Sequence, residues 1–298
     1  MEQLPTVSAV QAEPIWFNLA ATVDKTVDLI RVASEAGSDL IAFPETWVPG
    51  YPIFLWAGDP QLRQQQLAAY MRQAISVTGP ELIRIAEAAR RHHILVSVSF
   101  AERQGQTLYI AQALIERDGT MAHMRRKLIM AFGRERTIFA SGSIDGLRVI
   151  DTSIGRLGGL ICSEHTRPRL RHELLRQGEQ IHIAAWPSFA LLPDVARLSA
   201  GVNMLLTQQY AAEGGNYVVA PTMVISESTQ ARMRTEGISA SEVKVGGGHA
   251  RIFSPLGEVL GAPLAPSAEG LVTASVDFDE LRPIFDRDPL GVGMNKWR

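Results

Sequence analysis

Apolar positions along this chain follow two alternating rhythms. Between residues 19 and 36 they fall at Val23, Val27 and Ile30, on one face of a helix. Asn18 precedes that stretch, and its side chain can accept a bond from an early backbone N–H. Gly37 ends it. Short apolar runs stand on either side, Thr6 to Gln11 and Leu40 to Phe43, and these predict strands.

The same order returns downstream. Helices are expected at about residues 62–74 and 80–92, the second opening on Pro80, whose missing N–H costs little in a first turn. Ile94 to Phe100 reads as a strand. Residues 109–115 and 121–127 flank Arg117-Asp118-Gly119 as a hairpin. Strands at 147–152 and 156–162 are followed by a helix (169–177), a strand (181–186), a helix (194–213) and a strand (217–221). The end is strand-rich, at 249–254, 258–260 and 270–277, with a short helix near 278–285. Hairpins mixed with strand–helix–strand units argue for an α/β protein of mixed sheets covered by helices.

A chain of 298 residues, 46% hydrophobic, can bury a large core. No linker divides it, so residues 1–298 are expected to form a single domain with a short C-terminal tail. With 29 basic and 31 acidic residues the net charge is -2, which offers no basic footprint for nucleic acid. No apolar run approaches the roughly 20 residues needed to span a bilayer. Met1-Glu2-Gln3-Leu4-Pro5-Thr6 lacks the basic-then-apolar form of a secretory signal. A cytoplasmic protein without membrane or nucleic-acid partners is expected. The single cysteine excludes an intramolecular disulfide.

That cysteine changes the picture. Cys162 ends the apolar run Gly158-Gly159-Leu160-Ile161 and is followed by Ser163-Glu164-His165. Ile41-Ala42-Phe43-Pro44-Glu45 has the same form, a strand and then an acid, and Arg125-Arg126-Lys127-Leu128 lies between them. A thiolate is the nucleophilic form of cysteine, and a nearby cation such as Lys127 favours it. A carboxylate at Glu45 can take the thiol proton and later activate water. Lys127 can also stabilise charge in a tetrahedral intermediate. Each residue alone has a plainer reading: inert core for Cys162, a solvated loop acid for Glu45, an edge-strand surface residue for Lys127.

Several stretches in order resemble the nitrilase superfamily, and its nitrilase branch in particular. Phe43-Pro44-Glu45-Thr46-Trp47-Val48-Pro49-Gly50-Tyr51-Pro52 is similar to the glutamate motif with the Pro-Gly-Tyr-Pro of nitrilases. Arg126-Lys127-Leu128 resembles the lysine motif, and Gly158 to His165 the cysteine motif. The likeness continues through residues 181–188, 220–226 and 246–251. It implies an α-β-β-α sandwich, with Cys162 as nucleophile, Glu45 as general base and Lys127 as stabilising cation. It also implies that Glu135 holds the lysine and positions substrate or water. Tyr51, Ser163, Glu164 and Trp186 are the expected substrate contacts, and Trp47 and Trp56 are further candidates for the pocket. The implied reaction takes a small-molecule nitrile to a carboxylic acid and ammonia through a thioimidate and a thioester. It needs no cofactor. A homodimer, or a larger homo-oligomer, packed through the helices after Cys162 and after Pro193 is the implied assembly.

The chain departs from the nitrilase pattern in three places. Ser163 stands where nitrilases usually carry tryptophan, which alters the pocket wall. Lys127-Leu128-Ile129-Met130-Ala131-Phe132 lacks the usual Pro-Thr, and Glu135 is eight residues after the lysine in place of seven. Asp288-Pro289-Leu290-Gly291 begins a C-terminal motif that then changes to Val292-Gly293.

Other readings compete with this one. An amidase or carbamoylase of the same superfamily shares the triad, but Pro-Gly-Tyr-Pro and Gly246-Gly247-Gly248-His249-Ala250-Arg251 favour a nitrilase. Release of the amide is a third outcome of the same intermediate. A non-catalytic binding or scaffold protein and a redox-sensing thiol belong to other classes. The histidines His92, His93, His165 and His172 do not supply a full ligand set, so no metal is expected. Gly246-Gly247-Gly248 lacks the lysine of a phosphate loop and reads as a turn.

Overall fold

The computed structural model describes residues 4–56, 59–238 and 243–281. Its first unit forms where the apolar pattern puts it, as β1 (Thr6–Ala12), α1 (Leu19–Glu35) and β2 (Leu40–Ala42). Asn18 Oδ1 accepts the N–H of Ala21 at 3.1 Å and caps α1. Gly37 takes a left-handed conformation just past it. There follow α2 (Pro60–Arg72), α3 (Pro80–His92), β3 (Leu95–Gln104), β4 (Thr107–Ile115), β5 (Met121–Arg126) and the single turn α4 (Phe132–Glu135). The second half runs β6 (Ile150–Thr152), β7 (Gly155–Ile161), α5 (Pro168–Leu175), β8 (Ile181–Ala185), α6 (Ala200–Gly214), β9 (Tyr217–Ala220), β10 (Thr222–Met223) and α7 (Glu227–Thr235). It ends in β11 (Arg251–Phe253), β12 (Val259–Leu260) and β13 (Gly270–Ser275).

Two mixed sheets result. One has the order β10-β1-β2-β3-β4-β5, with β13 also pairing antiparallel to β1. The other has the order β12-β11-β9-β8-β7-β6. Alternation along β1 sends Val7 and Ala9 to one face and Val10 and Ala12 to the other. Val7, Ala9, Leu40 and Leu95 meet Leu157, Ile181, Ile183 and Val219 of the second sheet, and this is the layer between the sheets. On the outer face of the first sheet, Val10, Ile41 and Val96 pack with Val23 and Ile30 of α1 and Leu82 and Ile85 of α3. The second sheet is covered by Leu170 and Leu174 of α5 over Leu160, and by Tyr210 and Ala211 of α6 over Ala184 and Val218. The layers are therefore α-β-β-α. Each fully buried aliphatic side chain contributes roughly 1.5–3 kcal/mol relative to exposure.

Two elements differ from the sequence expectation. The helix expected from residue 194 begins at Ala200, because Ser199 caps it by accepting the N–H of Val202. The pattern gave no helix for residues 227–235, yet α7 forms there, capped by Ser226. Its sequence is almost wholly polar, with Thr229 and Met233 buried, so periodicity carries little signal. The short helix expected near 278–285 begins in place, as the single turn Phe278–Glu280. Its remainder lies outside the described residues, as do Asp288–Gly291.

Candidate active site

Three strand ends bring the chemistry together. Glu45 lies just past β2, and its backbone N–H donates to the carbonyl of Trp186 at 3.1 Å. Lys127 follows β5, with its N–H on the carbonyl of Ile110 at 2.7 Å. Cys162 follows β7 directly, in a left-handed conformation with φ 47°. For a residue other than glycine this costs on the order of 1–2 kcal/mol, so neighbours must hold it there.

Lys127 Nζ donates to Glu45 Oε1 at 2.6 Å and to Glu135 Oε2 at 3.0 Å. All three side chains are buried. Glu135 also accepts the hydroxyl of Tyr51 at 2.7 Å and the N–H of Ala131 at 2.7 Å. It therefore fixes the lysine and the segment after it. The Cys162 thiol and the Glu45 carboxylate are close enough for each to shift the protonation of the other. Glu45 Oε2 is buried and takes no N–H or O–H donor.

The electrostatics follow from burial. Loss of water raises the Glu45 carboxyl, Lys127 opposes this, and the Glu135 charge adds to it, leaving a value of about 7. Burial works against the Lys127 ammonium, but Glu135 and Glu45 outweigh it and keep the group protonated. The Cys162 thiol is pushed well above its ordinary value, by burial first and the Glu45 charge second. The sequence suggested that Lys127 would favour a thiolate. Instead the ammonium is shared between two carboxylates, and a neutral thiol needs a base to activate it.

A cavity of about 330 Å³ opens onto this cluster. Cys162, Ser163, Tyr51, Glu135 and Trp186 line it, with Trp56, Phe189 and Leu192 adding apolar wall and Arg167 and Arg197 at its rim. Glu45 and Lys127 stand behind that wall. Trp47 is core: its Nε1 donates to Thr26 Oγ1 at 2.8 Å.

Glu164 corrects an expectation. It does not face the cavity. Its carboxylate accepts both guanidinium nitrogens of Arg125, at 2.7 and 2.9 Å, and the N–H groups of Leu128 and Ile161, at 2.7 and 2.9 Å. With that many donors it has no capacity left for substrate. The short turn Cys162–Thr166 sends Ser163 to the cavity and Glu164 back toward β5.

Among the described residues, no group of three His, Cys, Asp or Glu side chains is arranged to hold a metal ion. Gly247 is a packing position, since a Cβ there would come 2.2 Å from the N of Ala190.

A model of the family described as carbon-nitrogen hydrolase matches residues 6–284. The chain is 42% identical to the arylacetone-specific nitrilase of Alcaligenes faecalis, over 92% of this chain and 77% of that one. It is 41% identical to a nitrilase of Pseudomonas syringae pv. syringae (strain B728a), over 93% of this chain and 82% of the relative.

The chain belongs to the carbon-nitrogen hydrolase family.

Within the carbon-nitrogen hydrolases it falls in the nitrilase branch. A crystal structure of a carbon-nitrogen hydrolase from Helicobacter pylori G27 has the same fold, with a TM-score of 0.77 at 18% identity, covering 96% of this chain and 94% of that one. The motifs of this carbon-nitrogen hydrolase pointed to Glu45, Lys127, Cys162 and Glu135, and the fold brings the four together. Sequence reasoning missed the Arg125–Glu164 clamp. A signal for it existed: strand alternation puts Arg125 and Lys127 on one side of their strand.

Proposed function

We propose that the protein is a nitrilase that converts an organic nitrile to a carboxylic acid and ammonia. The observation that carries the reading is the buried cluster in which Lys127 bridges Glu45 and Glu135 beside Cys162, which lines the cavity together with Glu135.

Glu45 takes the thiol proton as Sγ bonds to the nitrile carbon, and the proton passes to the nitrogen to give a thioimidate. Water, deprotonated by Glu45, adds to that carbon. The tetrahedral species breaks its carbon–nitrogen bond and releases ammonia, leaving a thioester. A second water displaces the thiol and frees the acid. Lys127 and the backbone N–H of Ser163 stabilise the charge that develops in each addition. Glu135 acts through Lys127, which it holds in place. Every step uses this chain's own groups and water. The aromatic and aliphatic wall suits nitriles with an apolar body.

The enzyme is read as a cytoplasmic homodimer or larger homo-oligomer. Val202 and Leu205 on α6, one of the helices expected at the contact, are exposed and apolar. Among the described residues, no helix is long and apolar enough to cross a membrane.

The test is a panel of aliphatic, arylaceto and aromatic nitriles with simple amides, assayed for ammonia, acid and amide. Acid and ammonia from nitriles, lost in Cys162→Ala, are expected. Turnover of amides alone would move the protein to an amidase.

A further inference from the structure

Behind Cys162, on the side away from the cavity, three buried side chains form a line that the reaction above does not use. His165 Nδ1 is 2.9 Å from the carbonyl oxygen of Cys162. His165 Nε2 is 2.9 Å from His182 Nε2, and His182 Nδ1 is 2.8 Å from Glu179 Oε1. The line ends on α6 and the loop after it, where Glu179 Oε2 accepts the hydroxyl of Tyr210 at 2.5 Å and the amide of Asn216 at 3.2 Å. Gly158 leaves room for it: a Cβ there would lie 2.1 Å from Glu179 Oε1.

The proton count along this line is constrained. A carbonyl oxygen only accepts, so His165 Nδ1 carries a proton. One proton lies between the two Nε2 atoms. Burial and the neighbouring His182 hold His165 neutral, well below the ordinary histidine range. His182 Nε2 is therefore the donor and His165 Nε2 the acceptor. The contact between His182 Nδ1 and Glu179 needs one more proton, which either group can carry. With the proton on Glu179 every bond runs toward the Cys162 carbonyl; with it on His182 that ring donates both ways, to Glu179 and to His165, and in either case His165 Nε2 is an acceptor. The other face of the His165 ring stacks on Trp186, a cavity residue, with centroids 4.8 Å apart.

We propose that His182 and Glu179 are positioning residues that fix the tautomer of His165, which in turn holds the left-handed main chain of Cys162 and so aims its thiol. The inference rests on the reading of Cys162 as the nucleophile. It adds a second support to that residue, independent of the glutamate–lysine cluster. A partner that selects the tautomer of a histidine, and through it the placement of a reacting group, is an established use of imidazole.

Two pairs of variants separate tautomer control from packing. His182→Gln puts an amide N–H near the place of Nε2–H, and Glu179→Gln can donate to His182 while accepting from Tyr210. His182→Phe and Glu179→Leu keep bulk and remove the polarity. The Phe and Leu variants are expected to lose on the order of 10- to 100-fold in kcat, as misplacement of a reacting group does, with KM nearly unchanged. The rate of Cys162 alkylation by iodoacetamide should fall in parallel, and Cys162 is the only cysteine, so the readout has one source. Both Gln variants should recover most of each rate.

Equal losses in the two members of a pair, or wild-type rates in the apolar members, would overturn the proposal. If an apolar variant fails to fold, its Gln counterpart decides: a folded Gln variant that loses tenfold or more, about 1.4 kcal/mol, counts against it. Alkylation needs no nitrile. A wild type silent toward every nitrile would defeat the nitrilase reading and leave the positioning role still open to judgement.

Discussion

Arg125 grips Glu164 through both guanidinium nitrogens, and both side chains are buried. The same carboxylate holds the backbone on the far side of Lys127, at Leu128, and just before Cys162, at Ile161. One side chain thus ties the lysine segment of one sheet to the cysteine strand of the other.

Removing one member of a buried ion pair typically costs about 3–5 kcal/mol, because the other is left uncompensated. Glu164→Ala should lose stability in that range by urea denaturation and lose kcat as well. Burial pushes the Glu164 carboxyl up, but Arg125 and the two backbone donors outweigh it and hold it low. A carboxyl lowered on folding stabilises above its unfolded value, near 4.5, and that contribution is lost as pH falls through the lower folded value. The stability gap between wild type and Glu164→Ala should therefore shrink in acid. A gap that stays constant down to strongly acidic pH would argue against this account.

The Glu45 carboxyl, raised to about 7, must be ionised to take the thiol proton. The rate constant kcat/KM should rise with pH through that region, with a midpoint that belongs to the coupled cluster of Glu45, Lys127, Glu135 and Cys162. Glu135 raises Glu45 by its charge. In Glu135→Gln the residual activity should have its acid limb at lower pH. A pH–rate profile whose midpoint is unchanged or higher would exclude this origin.

Tyr51 reaches Glu135 Oε1 from the cavity wall. Tyr51→Phe deletes that bond, and a hydrogen bond to a charged group is worth about 1.5–3 kcal/mol. A loss of stability near that size is expected in thermal unfolding, together with weaker turnover. An unchanged kcat would mean that Lys127 keeps its place without this support.

Ser163 lines the cavity, and its hydroxyl donates to the carbonyl of Ile129 at 3.2 Å. Ser163→Trp should fill space beside the nucleophile, lower kcat/KM most for bulky nitriles and change the ratio of amide to acid. The two products are quantified from the same reaction mixtures. Identical ratios in variant and wild type would remove Ser163 from the partition of the intermediate.

Much of this was legible in the sequence because the reacting groups sit where regular elements stop. Apolar runs locate β2 and β7, so the residues after them, Glu45 and Cys162, are placed by counting. Glu164 was misread because adjacency to Cys162 does not determine side-chain direction within a tight turn. The line from His165 to Glu179 was not legible at all. Its members come from a turn, a strand and a loop, and they meet through parallel pairing of β7 with β8, which sequence order alone does not specify. Helix α7 escaped for a different reason: polar side chains hide a helical period.

The reacting groups stand at the ends of three strands, whereas much of the cavity wall comes from residues 186–206, between the end of β8 and the middle of α6. Wall and mechanism are therefore separately inheritable. Past Trp186, whose carbonyl anchors Glu45, insertions, deletions and exchanges in that one stretch can redraw what the protein accepts while leaving the reacting groups where they are, which makes it a natural place to graft or shuffle sequence.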